Sequence, residues 1–95
     1  MEKVMYRFRG KITKDAKEII EIEMPADAKI VHVDDKEMDL RYFDLWAICN
    51  AEEKTRKKRL FICIPTGFPF PEDAKYIGTY STGNKRLYIH IFELT

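Results

Sequence analysis

The sequence lacks most of what would announce a chemistry. Its 95 residues contain no H-E-x-x-H, no C-x-x-C, no G-x-S-x-G and no phosphate loop of the Walker kind. Two cysteines, Cys49 and Cys63, are too few to hold a metal alone. Each sits in an apolar run, "LWAIC" or "LFICI", where a free thiol behaves as a small hydrophobe. No apolar run approaches the roughly 20 residues of a membrane span. The opening "MEKVMYRFRGKITKD" has no apolar core of the kind a secretory signal needs, so no export is expected. Neither sign of charge dominates: 17 basic and 16 acidic residues leave a net +1. That balance argues against strong non-specific duplex binding, and nucleic acid is not an expected partner. The two histidines, His32 and His90, both fall in strand patterns, where they read as structural residues. No catalytic residue, metal or cofactor is expected.

What is present is strand-forming material. At 95 residues the chain reads as one β-rich domain over 1–95. A chain of this length buries roughly 60–65% of its extended surface. That supports one core without a deep enclosed cavity, so a ligand would sit in a surface cleft or between subunits. Val4, Tyr6 and Phe8 alternate with Met5, Arg7 and Arg9, and Ile20, Ile22 and Met24 alternate with Glu21 and Glu23. Further strands are expected over 29–34, 40–50, 59–64, 75–81 and 85–94. Segment 40–50 is long enough for a helix, but its aromatic residues favour a strand. Segment 59–64 is apolar at nearly every position, so both its faces should be covered. Polar connections are expected over 13–17, at Asp34-Asp35 and over 51–58. The fold class is all-β, or β-rich α+β should 40–54 contain a helix: a small antiparallel barrel or sandwich of six to seven strands.

Pairing 40–50 with 59–64 as a hairpin centred near 54–55 would set Cys49 opposite Leu60 and Trp46 opposite Cys63. The thiols would then be too far out of register for a disulfide. The last strand is apolar or aromatic on both faces, with Leu87, Ile89 and Ile91 on one and Tyr88, His90, Phe92 and Leu94 on the other. It must be central or meet another copy of the chain, and a homo-oligomer is expected.

Three of the four prolines fall in "PTGFPFP", residues 65–71, with Gly67, Phe68 and Phe70. Proline stiffens such a turn and removes amide donors, while glycine permits close backbone approach. A stiff turn with free amides can hold a phosphate or carboxylate. Thr66 and Gly67 would hydrogen-bond, Phe68, Tyr76 or Trp46 would stack, and Arg59 and Lys75 would meet phosphate. The alternative is that Phe68 and Phe70 turn inward and plug one end of the fold. The basic run "KTRKKR" (54–59) reads first as a solvated hairpin tip.

Several segments together resemble a family of small uncharacterised phage and prophage proteins. They are Met24-Pro25 with Ala28 and Ile30; Leu45-Trp46-Ala47; Arg59, Phe61, Ile64, Thr66-Gly67, Pro69 and Pro71; Tyr76-Ile77-Gly78-Thr79; and His90 with Phe92-Glu93. Pro65 stands where that family usually has glycine, and 34–44 is longer than its pattern. The resemblance implies a phage setting in the host bacterial cytoplasm and no mechanism. The expected function is an accessory, anti-defence protein that sequesters a small nucleotide-like ligand, a host immune signal, without acting on it. The alternatives are a protein-binding inhibitor of a host factor, a minor virion structural or assembly protein and, last, a small hydrolase built on His90 and Glu93.

Overall fold

A computed structural model describes residues 2–12, 18–36, 39–82 and 87–94. Seven strands run in order: β1 (Lys3–Lys11), β2 (Ile19–Pro25), β3 (Lys29–Lys36), β4 (Asp39–Asn50), β5 (Arg56–Pro65), β6 (Lys75–Thr82) and β7 (Leu87–Leu94). No helix occurs among the described residues, so 40–54 is strand and turn. The polar connection expected over 13–17 lies outside them.

The strands form two antiparallel sheets, a three-stranded one ordered β1-β4-β3 and a four-stranded one ordered β2-β5-β7-β6. They face each other as a sandwich around one core, which holds Met24, Phe43, Leu45, Phe61 and Ile91 at its centre. The two-residue period does the sorting. In β2, Ile20, Ile22 and Met24 point inward while Ile19, Glu21 and Glu23 point out. In β4, Phe43, Leu45, Ala47 and Cys49 point inward and Trp46 points out.

The hairpin expected between 40–50 and 59–64 does not form. β4 pairs with β1 and β3, β5 pairs with β2 and β7, and the two belong to opposite sheets. Residues 51–55 carry the chain from one sheet to the other. The crossing is held by the Asn50 amide donating to Asp27 (2.8 Å), the Glu52 amide to the Asn50 side chain (3.0 Å) and the Ala26 amide to the Thr55 carbonyl (2.8 Å). Each satisfies a backbone N–H at the crossing. Two further corrections concern turns. The charged connection ends at Thr55, because Arg56–Arg59 already belong to β5, and Asp34-Asp35 lie within β3.

β7 is central, between β5 and β6. β5 is covered on both sides, as its apolar run requires: Phe61 and Cys63 face the main core, while Ile62 and Ile64 face outward into a second small cluster with Phe92, Ala74 and Leu94.

Cys49 and Cys63 are both free and buried, each on the inner face of its own sheet. Burial pushes the Cys63 thiol from its ordinary 9.0 up to about 12. Burial, and then Cys63 and Asp35, also push Tyr80 upward. Both folded-state values are raised, so the stabilisation is fully present below the unfolded values and fades as pH rises past them. Stability should hold from pH ~6 to ~8.5. It should then fall, from about pH 9 for Cys63 and from about pH 10 for Tyr80, by up to roughly 1.4 kcal/mol per pH unit for each group. Urea titrations across that range read the slope. A flat profile to pH 11 would refute it.

Candidate functional site

The 65–74 connection is built from two tight turns. The Phe68 amide donates to the Pro65 carbonyl (3.1 Å), and the Ala74 amide donates to the Pro71 carbonyl (3.1 Å). Gly67 is the third residue of the first turn, with φ at +91°. A side chain there would meet nothing within 4 Å, so glycine serves the backbone conformation, as in a type II turn, and not a lack of room. Between the turns Phe70 lies flat on Phe92, with ring centroids 4.1 Å apart and planes at 19°. The rings do not plug the sandwich: Phe68 is 55% exposed, Phe70 50% and Tyr76 56%.

Beside this connection the outer face of the four-stranded sheet carries a continuous hydrogen-bonded array. Ile64 and Thr79 flank His90 in the ladder. Thr66 Oγ1 lies 2.8 Å from His90 Nε2, and Thr79 Oγ1 lies 2.8 Å from His90 Nδ1. The Tyr76 hydroxyl reaches Thr79 Oγ1 at 2.6 Å. With Nε2 protonated, His90 donates to Thr66, which donates on to the Tyr88 carbonyl at 3.4 Å, while Thr79 donates to Nδ1 and Tyr76 to Thr79. Moving the imidazole proton to Nδ1 and rotating the hydroxyls reverses the run. The array can therefore offer a ligand either a donor or an acceptor, with every member still paired. The Gly67 amide, next to Thr66, makes no hydrogen bond among the described residues.

The sequence-predicted residues divide among three places. Thr66 and Tyr76 join in this array, and Gly67 and Phe68 follow Thr66 in the exposed turn beside it. Arg59 does not join them. Its guanidinium points into the sandwich end, donating to both oxygens of Glu93 at 2.7 and 2.6 Å and to the Ala28 carbonyl at 2.7 Å. Lys75 and Tyr76 share with Arg59, Lys29 and Ile77 the rim of a shallow hollow of about 230 Å³. Trp46 lies apart, on the outer face of the other sheet, with the Arg7 guanidinium 5.7 Å from its ring centre. The basic run is likewise dispersed, with Arg56 beside Glu23 (3.7 Å) and Lys58 beside Glu21 (3.8 Å).

His90 and Thr79 are the members that sequence reasoning missed. Pairing His90 with Glu93 misled, because residues three apart in a strand face opposite ways: Glu93 turns in to Arg59 and His90 turns out. The usable signal was the shared outward phase of Tyr88, His90 and Phe92. No group of three or more His, Cys, Asp or Glu among the described residues could hold a metal ion.

The profile of a family described as a domain of unknown function, DUF7352, matches residues 1–95. No curated protein and no solved structure matches the chain.

Proposed function

We propose that this chain, which belongs to the DUF7352 family, binds a small anionic, ring-bearing ligand of the nucleotide class and holds it unaltered. The observation that carries this reading is the Thr66–His90–Thr79–Tyr76 array, open to solvent and framed by exposed rings. Phe68 and Tyr76 offer stacking faces of the sort worth ~1–3 kcal/mol per base. The free Gly67 amide and, with the run reversed, the Tyr76 hydroxyl supply donors for an oxyanion. Lys75, at the rim of the adjoining hollow, supplies charge. A ligand kept intact is a ligand sequestered, and the likeness to phage proteins supports a host signalling nucleotide, met in the bacterial cytoplasm, as the natural one.

A thermal-shift panel of cyclic dinucleotides, ADP-ribose-type compounds and mononucleotides tests the reading. At a concentration about 100 times Kd, binding stabilises by ~2.7 kcal/mol, which raises Tm by roughly 10 °C or more in a domain of this size. The ligand should return unaltered after denaturation. Thr66→Val and Phe68→Ala should each lower the shift without changing the Tm of the free protein by more than about 2 °C. A panel without a shift, or one in which Thr66→Val and Phe68→Ala shift as the parent does, would overturn the assignment.

A further inference from the structure

The net charge of +1 conceals how the fold sorts its charges. On β1 the outward positions include Lys3, Arg7, Arg9 and Lys11, all exposed. They line the outer face of the three-stranded sheet, opposite the face just described. The ladder sets three rows across it: Met5–Ile48–Lys29, Arg7–Trp46–His32 and Arg9–Asp44–Asp34. Arg9 neutralises Asp44 through bonds of 2.9 and 3.3 Å. Lys3, Arg7, Lys11 and Lys29 meet no carboxylate among the described residues. Asp34 is the one carboxylate left on these rows to oppose them, and it lies 4.0 Å from His32 Nε2. The acidic Glu21 and Glu23 sit on the other sheet. The middle row is different in kind, with a half-buried indole between a guanidinium and an exposed imidazole.

We infer that this face binds single-stranded nucleic acid. A row of cations tracks a phosphate backbone, and a ring between planar cationic or aromatic neighbours accepts an unstacked base without regard to its identity. The arrangement favours a single strand over a duplex on geometric grounds. Duplex bases are stacked away from any flat surface. Three strands at ~4.8 Å spacing, with their side chains, are also too broad to enter a major groove about 12 Å wide. When Arg7 turns to a phosphate it gives up only a weak cation–π contact with the half-buried Trp46.

The chain has one tryptophan, so its emission reports this face directly. Titration of the intact protein with a fluorescein-labelled oligodeoxythymidine of about 12 nucleotides should change Trp46 emission saturably and raise anisotropy. Three to four phosphate contacts predict that affinity falls roughly 20- to 50-fold between about 50 and about 200 mM salt. Lys3→Glu, an exposed change on β1 away from the proposed nucleotide site, should weaken binding and flatten that salt dependence. Trp46→Leu, its fold checked by circular dichroism, should weaken it roughly 5- to 150-fold by anisotropy. Thr66→Val should leave it unchanged, which separates this face from the proposed nucleotide site. The inference is overturned by the absence of any signal at low salt, by equal affinity for the duplex form, or by Lys3→Glu binding like the parent. It is also overturned if an acidic polyglutamate peptide saturates the face while the oligonucleotide does not, which would assign it to a protein partner.

Discussion

Replacing Phe43 with alanine should lower the stability of the protein by about 4 kcal/mol, the largest single-residue effect we expect. The ring is fully buried at the centre of β4. Its neighbours leave it no freedom to be replaced by relaxation. On one side it stacks with Tyr80 of the opposite sheet, at a centroid distance of 6.4 Å and 21° between planes. On the other it lies over Gly10, its partner in the β1–β4 ladder, so closely that a Cβ at Gly10 would collide with the ring tip. Glycine in a strand interior weakens the strand, and here that weakness makes room for the ring. Truncation would therefore leave a cavity bounded by two sheet backbones that cannot close on it. Urea denaturation should show the midpoint falling with the slope unchanged. Phe43→Leu should cost less than half as much. A loss below about 1.5 kcal/mol for the alanine variant would show that the sheets do collapse there.

Glu93→Ala should cost about 3 kcal/mol. Its carboxylate receives both arms of the Arg59 guanidinium, and the two side chains are only 13% and 16% exposed. Arg59 also donates to the Ala28 carbonyl and lies 3.3 Å from the Met24 sulfur, so it is fixed independently of its partner. Removing the carboxylate thus leaves a largely desolvated cation with nowhere to turn. The double replacement Arg59→Met with Glu93→Ala should cost clearly less than the losses of Arg59→Met and Glu93→Ala added together, because no charge is then left unpaired. A thermodynamic cycle over the four proteins reads this. Additive losses would mean that each residue acts through packing alone.

The same pair shows what the sequence could tell and where it stopped. Alternation identified the inward residues of β2 and the covered character of 59–64, because burial phase is a local property of a strand. The aromatic content of 40–50 likewise favoured strand over helix, and the structure has one there. Partner choice is not local. Strands adjacent in sequence usually pair, and on that basis 40–50 and 59–64 were expected to form a hairpin. The crossing at 51–55 puts them in different sheets, and nothing in its charged residues marks it as a crossing. The same step separates Trp46 from Phe68, since outward positions on opposite sheets look away from each other. Arg59 was legible as distinct from its basic neighbours but not as a core-end ion pair. That assignment needs the register that brings Glu93 of β7 beside β5.

The order of strands also has a bearing on how the chain assembles. The whole three-stranded sheet lies within residues 1–50, while the four-stranded sheet draws β5, β6 and β7 from the later half and borrows only β2 from the earlier one. During synthesis the first sheet can close before β5 exists. β2 must then wait with Ile20, Ile22 and Met24 uncovered and its edge unpaired. Until its partner emerges, that strand is the segment most open to capture by another nascent copy. Two finished molecules could trade it and keep every native ladder bond, so the borrowed strand is the point at which the monomer is closest to an exchanged dimer.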